Sequence, residues 1–215
     1  MKVTLMSFTP GIEELCGFAA AKCTNSKHPD SALRHSVESG HDSVLEHAVF
    51  TFDIDGISRA CLAQLTRHRL ASFSVQSQRY VKLDENIQLV IPESIAKLEG
   101  DLGKRAIEHM IESMRIYCEL VDAGVPAEDA RYITPQAVPT SLIVTMNCRE
   151  LLHFFKLRTC NRAQWEIRAM ADIMLRKCME VAPYIFGNAG PDCVRDGCHE
   201  LRSCGHPRSM EEWKN

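Results

Sequence analysis

The sequence predicts an α+β fold: a single domain with an antiparallel sheet flanked by long helices. Three observations carry that expectation. "AVFTFDID", residues 48–55, alternates apolar and polar positions as a half-buried strand does, and "VPTSLIVTMN", residues 138–147, is rich in β-branched side chains. Residues 93–122 and 148–182 instead repeat apolar side chains at helical spacing. The two kinds of element do not alternate as βαβ units, so a doubly wound parallel sheet is not expected.

In chain order, residues 2–7 read as a short strand, followed by a helix near 10–23 with Ile12, Leu15, Cys16 and Ala19 on one face. "HPDSALRHSVESG" reads as a short helix capped by Asp30 or Ser31 and ended by Gly40. Gly56 is expected to break the strand at 48–55. After it, "ISRACLAQLTRHR" reads as a helix whose last turn delivers Arg67, His68 and Arg69, where the macrodipole favours cations. Pro92 opens a long helix over 93–122, with Gly124 just past its end. Two more helices are expected near 148–159 and 162–182. Past Pro183 the pattern dissolves into a Cys-, Gly- and Pro-rich tail. The division is therefore one domain over 1–190 and a tail over 191–215.

Composition narrows the function. The chain has 215 residues, 45% of them hydrophobic, and a net charge of −3, so a general nucleic-acid binder is not expected. No apolar run approaches the roughly 20 residues of a membrane span. The start, "MKVTLMSFTPGIEE", reads as a strand and a turn rather than a signal peptide. Seven of the ten cysteines lie singly in apolar or helical segments, the usage of small buried hydrophobes in a reducing cytoplasm.

Positive charge is local instead. No Asp or Glu occurs between Asp55 and Asp84, while Arg59, Arg67, Arg69, Arg79 and Lys82 all do. Guanidinium forks match phosphate oxygens, and the hydroxyls of Ser72, Ser74 and Ser77 complete a phosphate cradle. Gln64, Gln76 and Gln78 add amides that both donate and accept, as reading a base edge requires. A nucleotide monophosphate suits this segment; a solvated basic face or a subunit-interface arginine cluster is the plainer alternative. Two further clusters stand out. His41, Ser43, Glu46 and His47 crowd the entrance to the strand, as a capped turn with one core histidine or as metal ligands. Arg158, Asn161, Arg162, Trp165 and Arg168 recur at steps of three or four, sharing one broad helix face with a single acid, Glu166.

Taken together, these blocks resemble the flavin-dependent thymidylate synthases. Arg67-His68-Arg69, then seven residues, then Ser77 and Arg79, is similar to that family's RHR-x7-S motif. The likeness extends to "GHDSVLEHAVFTFDI", "TMNCRELLHFFKLR" and "NRAQWEIR", in family order over most of residues 35–185. The resemblance implies a homotetramer with active sites formed between subunits. It implies methylation of dUMP to dTMP, with 5,10-methylenetetrahydrofolate as carbon donor and NADPH to reduce bound FAD. Gln64, Arg67, Val75, Gln76, Ser77, Gln78 and Arg79 become dUMP contacts, with Ser77 and Arg79 on the phosphate. His41, Ser43, Arg67, His68, Arg69, Arg158, Asn161 and Arg162 become the FAD set. Arg168 becomes the catalytic group and a further dUMP contact, polarising the N3–C2=O edge of uracil so that C5 can act as nucleophile. No cysteine sits in a nucleophile context, which agrees with that scheme. Two positions depart from the pattern: Val75 stands where many relatives have Glu, and Ser141 where many have Arg.

Two other readings use the same residues. A nucleic-acid module would place Phe73 and Tyr80 beside the arginines, against the acidic balance. A metal-dependent nucleotide hydrolase would use His41, Glu46 and His47. In the tail, Cys193, Cys198, Cys204 and His206 lack the paired C-x2-C spacing of zinc knuckles, so no metal is expected and a loosely ordered reduced tail is.

Overall fold

The structure, a computed structural model, describes residues 1–195 and 197–214. Strand β1 (Lys2–Phe8) leads into α1 (Ile12–Thr24) and α2 (Pro29–Glu38), then a 3-10 turn over Asp42–His47. Strand β2 (Val49–Ser58) runs directly into α3 (Arg59–Leu65), and β3 (Ala71–Val75) follows. A long connection reaches α4 (Glu93–Ala96), α5 (Asp101–Asp122) and α6 (Ala127–Ala130). Strand β4 (Pro139–Asn147) leads straight into α7 (Cys148–Arg158), then α8 (Trp165–Val181), α9 (Pro183–Phe186) and the terminal α10 (Glu211–Lys214). The four strands form one antiparallel sheet in the order β1-β2-β4-β3. Its register is visible in side chains: Thr51 and Thr145 share a hydrogen bond at 2.9 Å, and Ser141 donates to Asp55, the reversed count of an antiparallel pair. The α+β class holds.

Several expected boundaries move, each for a local reason. Strand β2 does not break at Gly56, which holds φ 75° inside the strand, a conformation glycine adopts without strain. Helix α2 starts at Pro29, whose missing N–H costs nothing in a first turn. The helix expected over 93–122 is two, because Gly100 at φ 82° precedes α5. Strand β3 was hidden within the anion motif, although Ala-Ser-Phe-Ser-Val alternates with period two. Helix α3 stops at Leu65, so the Arg-His-Arg triplet lies beyond it. The His68 N–H reaches the Leu65 carbonyl at 3.1 Å, a turn rather than an α-helical bond.

The chain divides into two compact units. One comprises residues 1–2, 54–64 and 74–142. Its core gathers Leu83, Met114, Tyr117, Ala130 and Val138, and the Tyr117 hydroxyl accepts from the Leu83 N–H at 3.3 Å. The other comprises residues 3–53, 65–73 and 143–215. There Phe50, Phe52, Phe154, Phe155 and Phe186 are fully buried, joined by edge-on contacts such as Phe50–Phe186 at 5.6 Å between ring centres. Its tail, expected to be loosely ordered, is largely exposed but anchored at its end: Trp213 is 3% exposed, and its indole N–H donates to Asp172 at 2.9 Å.

Candidate functional site

Chain geometry places the triplet residue by residue. Leu65 is buried and closes α3; two residues on, Arg67 and Arg69 point to solvent while His68 between them is buried. His68 Nδ1 lies 2.8 Å from Oε1 of Glu150, and Arg158 donates from Nε to His68 Nε2 at 3.0 Å. Phe154 packs edge-on to the imidazole, 4.9 Å between ring centres. All three partners stand on α7, whose first turn is fixed by Asn147 accepting from the Glu150 N–H. Burial lowers the His68 pKa; the Glu150 hydrogen bond opposes that shift and the Arg158 charge adds to it.

The loop after β3 is equally tied. Gln76 donates its N–H to the Ser141 carbonyl at 2.9 Å, and Ser77 Oγ accepts from the Arg79 N–H at 3.2 Å. The carboxylate-free segment is not carboxylate-free in space: Arg79 pairs with Glu128 at 2.6 Å, as His68 does with Glu150. Ser141, at the departing position, bonds Asp55.

Near this loop Arg59, a cation of the carboxylate-free segment with no site role expected, meets Arg131, which no motif marked. Arg59, Gln78, Arg131, Tyr132, Thr134, Pro135 and Gln136 line a polar cavity of about 340 Å³. Arg59 donates from Nη2 to the Gln76 carbonyl at 3.1 Å, yet its Nε is buried with no hydrogen-bond partner. Burial, and then the charge of Arg131, pull its pKa down. Two guanidiniums facing one cavity, one with an orphaned donor, are a cradle for an anion. The signal was present only as lone arginines: Arg59 opens α3 and Arg131 follows α6, 72 positions apart by their numbers.

The third cluster does not share one helix face, because α7 ends at Arg158 and α8 begins only at Trp165; part of it still meets around the intervening turn. Arg158, Asn161 and Arg162 line a cavity of about 250 Å³ with Cys160, Cys204 and His206. Arg168, in the first turn of α8, donates to the Asn161 carbonyl at 2.8 Å. Asn161 Nδ2 donates to the His206 carbonyl at 2.7 Å, and Arg162 donates to that of Arg202, so the tail rests on both. Ser43 lines a separate groove with Leu15, Phe18 and His47, and His41 stacks edge-on to His35, 6.3 Å between ring centres. Glu46 is paired with Arg149 rather than facing His41 and His47 as a ligand. Among the described residues no group of three His, Cys, Asp or Glu side chains could hold a metal ion. None of their helices is long and apolar enough to cross a membrane.

As a donor set, Arg67, Arg69, Arg158, Asn161 and Arg162 offer guanidinium forks and one amide, the chemistry a flavin dinucleotide diphosphate calls for. Arg67 and Arg69 are exposed and pair with no carboxylate among the described residues. The residues present therefore fit such a group. Three buried cysteines are poor nucleophiles: burial raises the Cys16 thiol to about 11 and pushes Cys148 and Cys178 higher still.

Comparison with known proteins adds an independent line. The family described as thymidylate synthase complementing protein, Thy1, matches residues 4–184. A protein of Geobacter sulfurreducens is 47% identical over 215 residues, covering 93% of this chain and 91% of its own length. One from Pyrococcus horikoshii is 48% identical over 238 residues, covering 100% and 98%. One from Pyrococcus furiosus is 52% identical over 165 residues, covering 74% and 67%. Each of the three is named a flavin-dependent thymidylate synthase.

Proposed function

Because the chain belongs to the thymidylate synthase complementing protein family over residues 4–184, we propose that it is a flavin-dependent thymidylate synthase. It converts dUMP to dTMP, with 5,10-methylenetetrahydrofolate as carbon donor, FAD as cofactor and NADPH as reductant. The observation that carries the reading is the Arg67–Arg79 segment. Gln78 of that segment lines a polar cavity in which Arg59 keeps an orphaned donor.

In this reading Ser77, Arg79 and Arg67 hold the dUMP phosphate, with Arg59 and Arg131 adding charge from the cavity. Gln64, Gln76 and Gln78 read the uracil, while Val75 offers only backbone. Glu128 on Arg79 is the competing anion that the phosphate displaces; an exposed pair of this kind is worth about 0–1 kcal/mol, so displacement is cheap. His41, Ser43, Arg67, Arg69, Arg158, Asn161 and Arg162 hold FAD, while His68, buried with both ring nitrogens engaged by Glu150 and Arg158, supports the set from behind. When bound, that cofactor supplies the hydride that reduces the transferred one-carbon group to methyl. Arg168 lies in the first turn of α8, held by the Asn161 carbonyl. It presents a preset guanidinium to the N3–C2=O edge, stabilising the negative charge that makes C5 nucleophilic. Raised thiol pKa values leave Cys16, Cys148 and Cys178 protonated, consistent with activation by charge rather than by cysteine addition. A homotetramer whose chains share each site, in the cytoplasm, completes the reading.

The test is direct. Concentrated protein incubated with FAD stays yellow after unbound flavin is removed by gel filtration, and it forms dTMP from dUMP, methylenetetrahydrofolate and NADPH. Arg168→Lys retains folding and FAD binding but loses about 100- to 1,000-fold in turnover, since lysine keeps the charge and loses the fork. Near-wild-type turnover in that variant would remove Arg168 from the mechanism. A protein that stays colourless would remove the reading itself.

A further inference from the structure

We infer that Glu150 is a positioning residue: it fixes the proton of His68 on Nδ1 and so holds the Arg158 guanidinium in place toward the flavin site. The inference rests on the reading above for the identity of the ligand, and on geometry alone for the order of the three side chains. Arg158 Nε is always an N–H donor, so its contact of 3.0 Å requires His68 Nε2 to accept. The single proton of the neutral ring must then sit on Nδ1, where Glu150 takes it at 2.8 Å. The charge of Glu150 also offsets that of Arg158 within a buried environment. His68 is 5% exposed and Glu150 6%, so neither is free to exchange its partner for water.

Order in this chain depends on both ends. Without a carboxylate the Nδ1–H loses its acceptor, and the ring is free to move its proton to Nε2. There an N–H would face the Arg158 N–H, two donors across one contact, and the guanidinium would turn away. Acid does the same: a second proton enters at Nε2. The charged groups that bear on His68 are Glu150, which favours that protonation, and Arg158 and His153, which oppose it; burial opposes it most. His68 therefore titrates below the ordinary histidine value, and Glu150→Gln, which keeps an acceptor oxygen but removes the negative charge, moves it lower.

The experiment reads the ring directly. Nitrogen-15 imidazole spectra of the flavin-free protein are recorded from pH 5 to 8, with the His68 signals assigned by their loss in His68→Asn. Wild type is expected to show the neutral Nδ1–H form at pH 7. Glu150→Ala is expected to show a mixture of tautomers and to bind FAD about 10-fold more weakly in an absorbance titration. Glu150→Gln keeps the Nδ1–H form, titrates at lower pH than wild type and binds FAD within about 3-fold of it. The inference is overturned by an Nε2–H ring in wild type, or by an unchanged tautomer and unchanged FAD affinity in Glu150→Ala. Should Glu150→Ala not fold, Glu150→Gln decides alone: a His68 pKa that does not fall overturns it. If the tautomer results hold and wild type binds no FAD, the flavin reading of the site fails. The ordering of Arg158 by Glu150 through His68 would still stand.

Discussion

A buried guanidinium nitrogen without a partner is expensive, commonly about 1–3 kcal/mol, and Arg59 carries one beside a second arginine. Such a cost persists where an anion recovers it. Arg59→Met should therefore leave thermal stability unchanged or raise it by up to about 1 kcal/mol, while weakening dUMP binding by about 10-fold or more. Thermal melts and calorimetric titration with dUMP read the two effects separately. A destabilised variant with unchanged dUMP affinity would make Arg59 a structural residue held by its Gln76 contact. At this scale the sequence showed which residue types were available, including all of those assigned to dUMP and FAD. It hid the meeting of Arg59 and Arg131, because lone arginines at helix ends look alike whether or not they face a shared cavity. It also hid Glu128 and Glu150, whose charges enter the basic segment from 49 and 82 positions away.

Elements show the same division. Alternation and β-branching marked β2 and β4, and helical spacing marked α5, α7 and α8, because each face buries a continuous stripe. Boundaries were less legible where backbone conformation, rather than side-chain pattern, ends or extends an element, as at Gly56 and Gly100. Gly103 illustrates how tertiary approach overrides propensity. Alanine there would gain about 1 kcal/mol of helix propensity. Its Cβ, however, would lie 2.7 Å from the Ile95 carbonyl oxygen and 3.2 Å from Leu98 Cβ. Backbone cannot yield as a side-chain tip can, so Gly103→Ala should destabilise by about 1–2 kcal/mol in denaturant unfolding. Its turnover at saturating substrate should be unchanged. A stabilised variant would show that α4 moves away freely.

Across the whole molecule, the tail is the largest departure from pattern-based expectation. Arg208 joins Asp172 at 2.8 Å and Glu212 at 2.8 Å, and its guanidinium stacks 4.4 Å from the centre of the Trp213 ring. Trp213→Ala removes the buried ring and loosens this lock, at a cost of about 3–5 kcal/mol if the tail unfolds with the rest. Hydrogen exchange should then rise first in residues 201–213 and at Asn161 and Arg162, which the tail carbonyls hold. Exchange confined to residues 211–214 would show that the two contacts are independent. Assembly is tested by mixing two inactive variants, Arg168→Ala and Ser77→Ala. If different chains complete each site, mixed oligomers regain a fraction of wild-type turnover; no recovery, with mixed oligomers present in native mass spectra, would place both residues in one chain's site.

Sequence by itself determined the α+β class, the family and the chemical kinds of donor at the site, since these follow from periodicity and from motifs that stay together along the chain. Tertiary structure decided the rest: that His68 is held between Glu150 and Arg158, that Arg59 and Arg131 face one cavity, that the tail closes on Asp172. Each depends on which distant groups burial brings within 3 or 4 Å. A buried charge or orphaned donor finds its partner through space, and no local pattern encodes that choice.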